Sequence, residues 1–260
     1  MNKAISNNAS NHAVKDRELF NRIADKYCKK DLAGSSQVAR KHRLIETISV
    51  VSNGTANTIL EVGCGAGFSA DYLKGKYDRF IGVDYADQLI EYAKAHHSAD
   101  DVEFHASDIR DFVPSQPCDI VVMIGVLHHF DNIPEVMDLI VPMVKPGGWL
   151  IANEPQPGNP MVQLARGIRK SVDSGYSSDQ VTLSGSDLTT LYKDAGLEEI
   201  KIVPQGLLST PLAEVVLPPQ FLTKPLAHAA CGFDRIAHNP VTNGLMKFLS
   251  WNLVAAGRRP

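Results

Sequence analysis

Residues 59–70 read ILEVGCGAGFSA, an apolar run broken by one acid, Glu61, and followed by glycines at alternate positions, Gly63, Gly65 and Gly67. A strand that runs into a glycine-dense turn and then a helix starting near Phe68 presents bare backbone to a ligand. Glycine permits φ > 0 and, lacking Cβ, lets another molecule approach the main chain closely. The first N–H groups of the following helix have no intrahelical acceptor and face the same space. A nucleotide-like ligand is therefore expected, and a glycine turn without a ligand is the plainer alternative. Spacing alone does not choose the nucleotide. Counted from Gly63, the dinucleotide pattern G-x-G-x-x-G/A fails at Phe68; counted from Gly65, it is met by Ala70.

Outward from the turn, strands and helices alternate. The run RFIGVDYADQLIEYAKAH predicts a second strand, Arg79–Val83, ending at Asp84, then a helix whose Leu89, Ile90 and Ala93 share one face. An acid at a strand end, about 20 residues beyond a glycine turn, can accept both hydroxyls of a ribose. Nicotinamide enzymes use the same device, and Asp84 could instead cap the helix. Tyr85 is placed to lie along an adenine edge. The third strand, Val102–Ser107, ends in Asp108-Ile109-Arg110-Asp111. The fourth, Asp119–Ile124, is a continuous apolar run, as in a strand buried on both faces of a parallel sheet. It leads into Gly125-Val126-Leu127-His128-His129-Phe130. A helix over Ile133–Val144 is expected to stop at Lys145-Pro146-Gly147-Gly148, before a fifth strand, Trp149–Glu154. This alternation predicts an α/β fold with a doubly wound parallel sheet.

The string E-x-G-x-G-x-G over 61–67, the acids Asp84 and Asp108 at successive strand ends, and VKPGGWLI before strand five resemble the class I S-adenosylmethionine-dependent methyltransferases. The resemblance covers roughly residues 15–204. It implies a Rossmann-like sheet of seven strands, mostly parallel, with the last strand, Trp251–Ala256, antiparallel. It places Glu61 near the methionine ammonium, beside Gly63, Gly65 and Gly67. It gives Asp108 the adenine amino group and the Ile109 N–H a ring nitrogen. Gly125 and the residues after it border the methionine end and the acceptor. FNRIADKY resembles the N-terminal helix that lies over the cofactor in small-molecule and quinone methyltransferases, so Phe20 and Tyr27 would help close the site; packing on the sheet is the plainer role. DLTTLYKDAGLEEIKIV is similar to the family's late helix–strand unit, with the sixth strand at Leu197–Val203.

The organisation expected is a disordered start over 1–14 and a single domain over 15–260. Within it, N-terminal helices (Arg17–Lys29 and Val38–Val51) occupy 15–52, the cofactor-binding core 57–154, and a C-terminal part 155–260. Prolines at 155, 157 and 160 forbid regular structure there. A helix from Met161 to about Val172 and a loop over 173–180 follow. Ser186-Asp187 is then placed to cap a helix that Gly196 ends. The proline-rich, apolar stretch 205–244 reads as an insertion of short helices, an acceptor-pocket wall or the contact of a homodimer.

With 260 residues and a net charge of −3, the chain has no strong electrostatic claim on nucleic acid. The cluster Arg40-Lys41-His42-Arg43 reads as the solvated face of a helix. Cys28, Cys64, Cys118 and Cys231 form no C-x-x-C pair, so neither a metal site nor a disulfide framework is expected and a reducing, cytoplasmic setting fits. The polar start lacks the apolar core of a secretory signal, and no run reaches membrane-spanning length.

The reaction expected is methyl transfer from S-adenosylmethionine to an oxygen, nitrogen or carbon of a small or medium organic molecule. Holding the acceptor in line with the S–CH3 bond supplies much of the rate. An acceptor with a tightly held proton needs a base as well. His128 and His129 are the candidates, His129 preferred, against a structural role for the pair. A metal is not expected, because no compact ligand set is visible. The alternatives are an NAD(P)-dependent oxidoreductase, or an S-adenosylmethionine-binding protein that does not methylate. A macromolecular methyltransferase is disfavoured, since Gly125-Val126-Leu127-His128 stands where an N-P-P-Y type signature would be.

Overall fold

A computed structural model describes residues 2–51, 56–160, 162–163, 182–238 and 242–260. Seven strands form one sheet: β1 (Ala56–Val62), β2 (Tyr77–Asp84), β3 (Val102–Ala106), β4 (Cys118–Ile124), β5 (Val144–Pro155), β6 (Glu198–Gln205) and β7 (Asn252–Arg258). Their order is β3-β2-β1-β4-β5-β7-β6. The first five run parallel, and β7 lies antiparallel to both β5 and β6. This wedge of β7 separates the sheet from the 3-2-1-4-5-6 order of a dinucleotide fold. Strand order reverses between β1 and β4, which opens a crevice at their carboxyl ends, the usual ligand position in such sheets.

Side chains alternate across β1 to β4. Leu60, Val62, Ile81, Val83, Val121 and Met123 pack on one face, and Ile59, Phe80, Ile120 and Val122 on the other. Both faces are covered at the centre of the sheet, so Ile59–Leu60, Phe80–Val83 and Ile120–Met123 are apolar runs. Helices α1 (Asn2–Leu32), α2 (Gly34–Ser49), α3 (Phe68–Tyr72), α4 (Asp87–His97) and α5 (Ile133–Ile140) precede β5. The backbone of α1 is helical back to Asn2, where the sequence suggests a disordered start; no Gly or Pro lies between residues 2 and 33 to interrupt it.

The boundary between the fifth helix and the fifth strand differs from the sequence reading. The fifth helix ends at Ile140 rather than Val144, because Pro142 has no N–H to continue the ladder and the last turn tightens into a 3-10 turn, Val141–Met143. Lys145–Gly148 is consequently the opening of β5, not a loop. The register shifts there between Cys118 and Ile120. A Cβ on Gly148 would stand 2.7 Å from the Asp119 carbonyl oxygen, so this irregularity admits only glycine. Helix α6 (Gly185–Asp194) is capped by Ser184 in a capping box with Asp187, two residues before the expected Ser186. The expected helix from Met161 to Val172 and the loop after it fall almost wholly outside the described residues.

The insertion contains α7 (Ser209–Glu214), α8 (Gln220–Ala237) and α9 (Asn243–Leu249). At 18 residues α8 is longer than the short helices expected. It closes the insertion on itself through Asp234, which accepts the N–H groups of Leu207, Leu208 and Ser209 at 2.9–3.0 Å. Helix α2 is anchored by a buried amide network. Asn153 donates to Thr47 at 2.8 Å and to Gln205, and its carbonyl accepts from Asn252 at 2.8 Å.

Gly67, with φ of +82°, lies where the glycine turn packs on α4 and β3. A Cβ there would meet Ala93 Cβ at 2.7 Å and the Phe104 ring at 2.8 Å. Gly67→Ala combines a left-handed backbone penalty with overpacking and should lower unfolding free energy by about 2–4 kcal/mol. Urea unfolding checks this, and an unshifted midpoint would remove the packing role given to Gly67.

Candidate functional site

The carboxyl ends of β1, β2 and β4 converge on an open cleft, with about 850 Å³ of empty space when the solvent at its mouth is included. Gly63, Gly65, Asp84 and Gly125 form its floor. Tyr85, Asp108 and Ile109 line one end, while Phe20, Tyr27 and His129 stand over it. One cleft thus gathers ten of the residues singled out from the sequence. Gly65 is the glycine open to it: a Cβ there would meet only Tyr27, at 3.6 Å. Gly63 instead needs its missing Cβ for packing, since Val126 would lie 2.5 Å away.

Asp84 organises the floor. Its Oδ2 accepts the Gly65 N–H and its Oδ1 the Ala86 N–H, each at 2.8 Å. Burial pushes its carboxyl above the ordinary range, against the pull of those two N–H groups. Each oxygen keeps a second lone pair, so the carboxylate can take a pair of hydroxyls without leaving the turn. Its helix-entry role through Ala86 and a ligand role are therefore compatible.

Asp108 is more heavily engaged. Arg110 donates to it from the main chain at 3.0 Å and from its guanidinium at 2.6 and 2.9 Å. Although burial disfavours the ion, these bonds hold the carboxyl below its usual range. An incoming amino group would share Asp108 with Arg110. Ile109 opens a 3-10 turn, Ile109–Asp111, at a position where an N–H has no intrahelical acceptor.

Beyond Gly63 a second cavity continues the cleft, lined by Tyr27, Arg40, Arg43, Glu61, Gly67 and Ser69. Glu61 Oε1 accepts the Ser69 hydroxyl at 2.9 Å, while Oε2 is buried without a partner. Burial pushes its carboxyl up to about 8, with nearby Asp84 adding to the effect. The Arg40–Arg43 cluster is not the solvated face expected. Arg40 and Arg43 are one turn apart on α2 and face inward, with side-chain exposures of 13% and 17%, toward Asp31 and Glu214. Lys41 remains exposed. Burial opposes ionisation of Glu214, but Lys30, Arg43 and Arg40 hold its carboxyl well below the ordinary range.

The two histidines part ways. The 3-10 turn Leu127–His129 is pinned by Glu154 at the end of β5, whose Oε1 accepts the N–H groups of Val126 and Leu127 at 3.0 and 2.9 Å. Glu154 Oε2 takes His128 Nδ1 at 2.6 Å, which turns that ring into the protein and off the cleft lining. His129 lines the cleft, with Nδ1 2.9 Å from Asp16 Oδ2 on α1. Phe20 packs edge-on against His129, Tyr85 and Tyr27, at centroid distances of 5.8, 6.2 and 6.2 Å. An Arg17–Asp87 ion pair at 2.6 Å ties the same helix to α4. Asp16, Glu154, Arg40 and Arg43 are site residues that sequence reasoning missed. Glu154 alone carried a signal, as an acid at a strand end.

Residues 60–152 match a family model described as a methyltransferase domain. A ubiquinone biosynthesis O-methyltransferase of Thiobacillus denitrificans is 25% identical over 165 residues, 60% of this chain and 70% of that protein. A SAM-dependent methyltransferase structure from Thermotoga maritima superposes with a TM-score of 0.64 at 16% identity, covering 94% of this chain and 99% of that one. The N-methyltransferase NodS of Bradyrhizobium japonicum, solved with S-adenosyl-L-homocysteine, gives 0.53 at 20% identity over 85% and 86% of the two chains. Strand order, the glycine turn with its strand-end acids, and these matches agree: the chain has the class I methyltransferase fold, carries a methyltransferase domain over 60–152, and transfers methyl groups from S-adenosylmethionine. Its cofactor is S-adenosylmethionine.

The cavity beyond Gly63 suits the methionine end of that cofactor. Glu61 Oε2 is an orphaned acceptor for an ammonium, and Arg40 and Arg43 can receive a carboxylate. With a pKa of about 8, Glu61 is mostly protonated at pH 7, whereas a cation beside it favours the ionised form. Cofactor binding at pH 7 should therefore release about one proton, and affinity should rise with pH up to about 8 and then level. Titration calorimetry in buffers of different ionisation enthalpy measures the release. A proton count near zero, or a Glu61→Gln protein with the same pH dependence, would contradict the assignment.

Proposed function

We propose that this methyltransferase O-methylates a small hydroxylated organic molecule, in the small-molecule and quinone branch of the class. The observation that carries the reading is His129, which lines the same cleft as Gly65 and Asp84. A hydroxyl holds its proton tightly, and a base at that edge is what such an acceptor requires. The ubiquinone biosynthesis O-methyltransferase named above supports the same acceptor atom.

In this reading Glu61 faces the methionine ammonium and Arg40 with Arg43 its carboxylate. Gly65 and Gly125 let the backbone approach the cofactor, while Gly63 and Gly67 shape the turn by giving room to Val126, Ala93 and Phe104. Asp84 takes the ribose hydroxyls, Tyr85 and Ile109 border the adenine, and Asp108 shares its amino group with Arg110. When bound, S-adenosylmethionine supplies a methyl group already activated by the sulfonium. The chain's own task is to hold the acceptor hydroxyl near His129, take its proton and exclude water. Phe20 and Tyr27 on α1 cover the cleft for that purpose. His128 is a positioning residue, fixing with Glu154 the turn that presents His129.

We read residues 15–260 as one domain. Among the described residues no helix is long and apolar enough to cross a membrane. The four cysteines are buried free thiols, which suits a reducing compartment such as the cytoplasm. The insertion exposes Phe221, Leu226 and Phe233, and the homodimer contact is placed there. Sedimentation should then find a dimer that Phe233→Lys converts to monomer, and a monomeric wild type removes that contact.

Incubation with methyl-labelled S-adenosylmethionine and a panel of phenols, catechols and quinols should yield an O-methylated product. Asp84→Ala should weaken cofactor binding by about 10–100-fold, through loss of charge-assisted bonds worth about 1.5–3 kcal/mol. Tight cofactor binding with no labelled product across the panel would favour a non-methylating role, and unchanged affinity in the variant would remove Asp84 from the ribose.

A further inference from the structure

Asp16 belongs to none of the strand ends that build the cleft. It is carried by α1, is 8% exposed, and lines the cleft beside Phe20, one helical turn further along. Its Oδ2 lies 2.9 Å from His129 Nδ1 across 113 residues of sequence. A carboxylate only accepts hydrogen bonds, so Nδ1 carries the proton and Nε2 is left with a free lone pair. Which ring nitrogen holds the proton is set by the bond the other one makes.

The ring is fixed on its other sides as well. Its main-chain N–H donates to the Val126 carbonyl at 3.0 Å, and the His128 ring, itself held by Glu154, lies 4.3 Å away between centroids. Phe20 closes a third side edge-on at 5.8 Å. The charged and titratable groups around the ring are Asp16 on α1, His128 and Glu154 behind the turn, Tyr85 at the end of β2, and the Asp108–Arg110 pair across the cleft. Among them Asp16 is the carboxylate bonded to the ring.

We propose that Asp16 is the positioning residue of the transfer: from the N-terminal helix it fixes His129 as the Nδ1–H tautomer and aligns Nε2 to accept the proton of the acceptor hydroxyl. The inference rests on the reading of His129 as the base. The acceptor oxygen forms its bond to the methyl carbon as the S–CH3 bond breaks, leaving the neutral thioether. The hydroxyl proton passes to His129 Nε2, and the Asp16 carboxylate faces the imidazolium that results. That proton leaves to water after turnover. The sheet thus supplies the histidine and the helical cover supplies the group that makes it a base. Arg17–Asp87 and the Asn21 side chain, which accepts the Gln88 N–H at 3.2 Å, hold the cover in the place where that bond forms.

The test compares wild type with Asp16→Ala and with Asp16→Asn, which keeps the shape should the first variant fold poorly. Imidazole nitrogen shifts, assigned with His129→Gln, read the tautomer without any turnover. Wild type should show His129 protonated on Nδ1, and both variants should move the proton toward Nε2. With a phenol that is un-ionised at the assay pH, kcat should fall at least 100-fold while KM for the acceptor changes less than about threefold. With an acidic phenol that is already ionised, the loss should shrink to within about tenfold. A wild-type His129 protonated on Nε2, or an unmoved tautomer in both variants, overturns the role of Asp16. So does an equal loss of kcat for ionised and un-ionised acceptors. If no hydroxyl is methylated by wild type, the O-methyltransferase reading fails, while the tautomer still decides whether Asp16 sets the ring.

Discussion

The bond pair at Asp84, one oxygen to the Gly65 N–H and the other to the Ala86 N–H, is the contact on which the rest of the site depends. Parallel strands that end at one level leave N–H groups in the turns above them without sheet partners, and in a buried position each costs about 1–3 kcal/mol if unmet. Asp84 meets two of them, one from the turn after β1 and one from the turn after its own strand. It thereby locks the glycine turn to the start of α4. Glu154 does the same for the Val126 and Leu127 N–H groups after β4 and adds His128. Asp84, the one of these two carboxylates that lines the crevice, is buried there with lone pairs left for a ligand. Folding and binding thus draw on the same atoms.

How much of this was legible follows from where each constraint acts. Strands buried on both faces must be apolar along their length, so β1, β2 and β4 stood out within two or three residues of their observed bounds. Asp84 was legible because its position, at a strand end a fixed distance past a glycine turn, is itself the signal. The three glycines looked alike in sequence and are not. Gly63 and Gly67 give room to Val126, Ala93 and Phe104, and Gly65 alone is open to the cleft. That distinction depends on residues from β3, α4 and the turn after β4, which no local pattern can name. The end of α5 was misplaced for a local reason, since Pro142 acts four residues before the Pro-Gly-Gly that drew attention.

Arg40 and Arg43 were hidden for a different reason. A run of four basic residues on a helix has the composition of a solvated face, and its inward turn is decided by Asp31 at the end of α1 for Arg40 and by partners 171 and more positions away: Glu214 for Arg43, and the Ala213 carbonyl for Arg40. Asp16 was hidden in the same way, one acid among many on a polar helix until α1 lies over His129. Long-range pairs of this kind carry no spacing rule, so the cover and the insertion were the least readable parts although both border the site.

The charge arrangement in the cavity beyond Gly63 explains why these far-apart elements belong together. Besides Glu61, the charged groups lining it are Arg40, Arg43 and Asp31, two cations against one carboxylate, with the Lys30–Glu214 pair outside the lining. Glu61, with its carboxyl raised to about 8, adds no full negative charge at neutral pH. The cavity is therefore biased toward an anion before a ligand enters, which suits a carboxylate at the arginines. A zwitterion brings its ammonium along with that carboxylate, and the arriving cation lets Glu61 ionise, so the second ion pair forms only when the first group is delivered. A ligand with a carboxylate but no ammonium leaves Glu61 protonated and its Oε2 orphaned. On the proposed placement of the methionine end, α2 would supply this selectivity through Arg40 and Arg43, and β1, through Glu61, the acid that answers it.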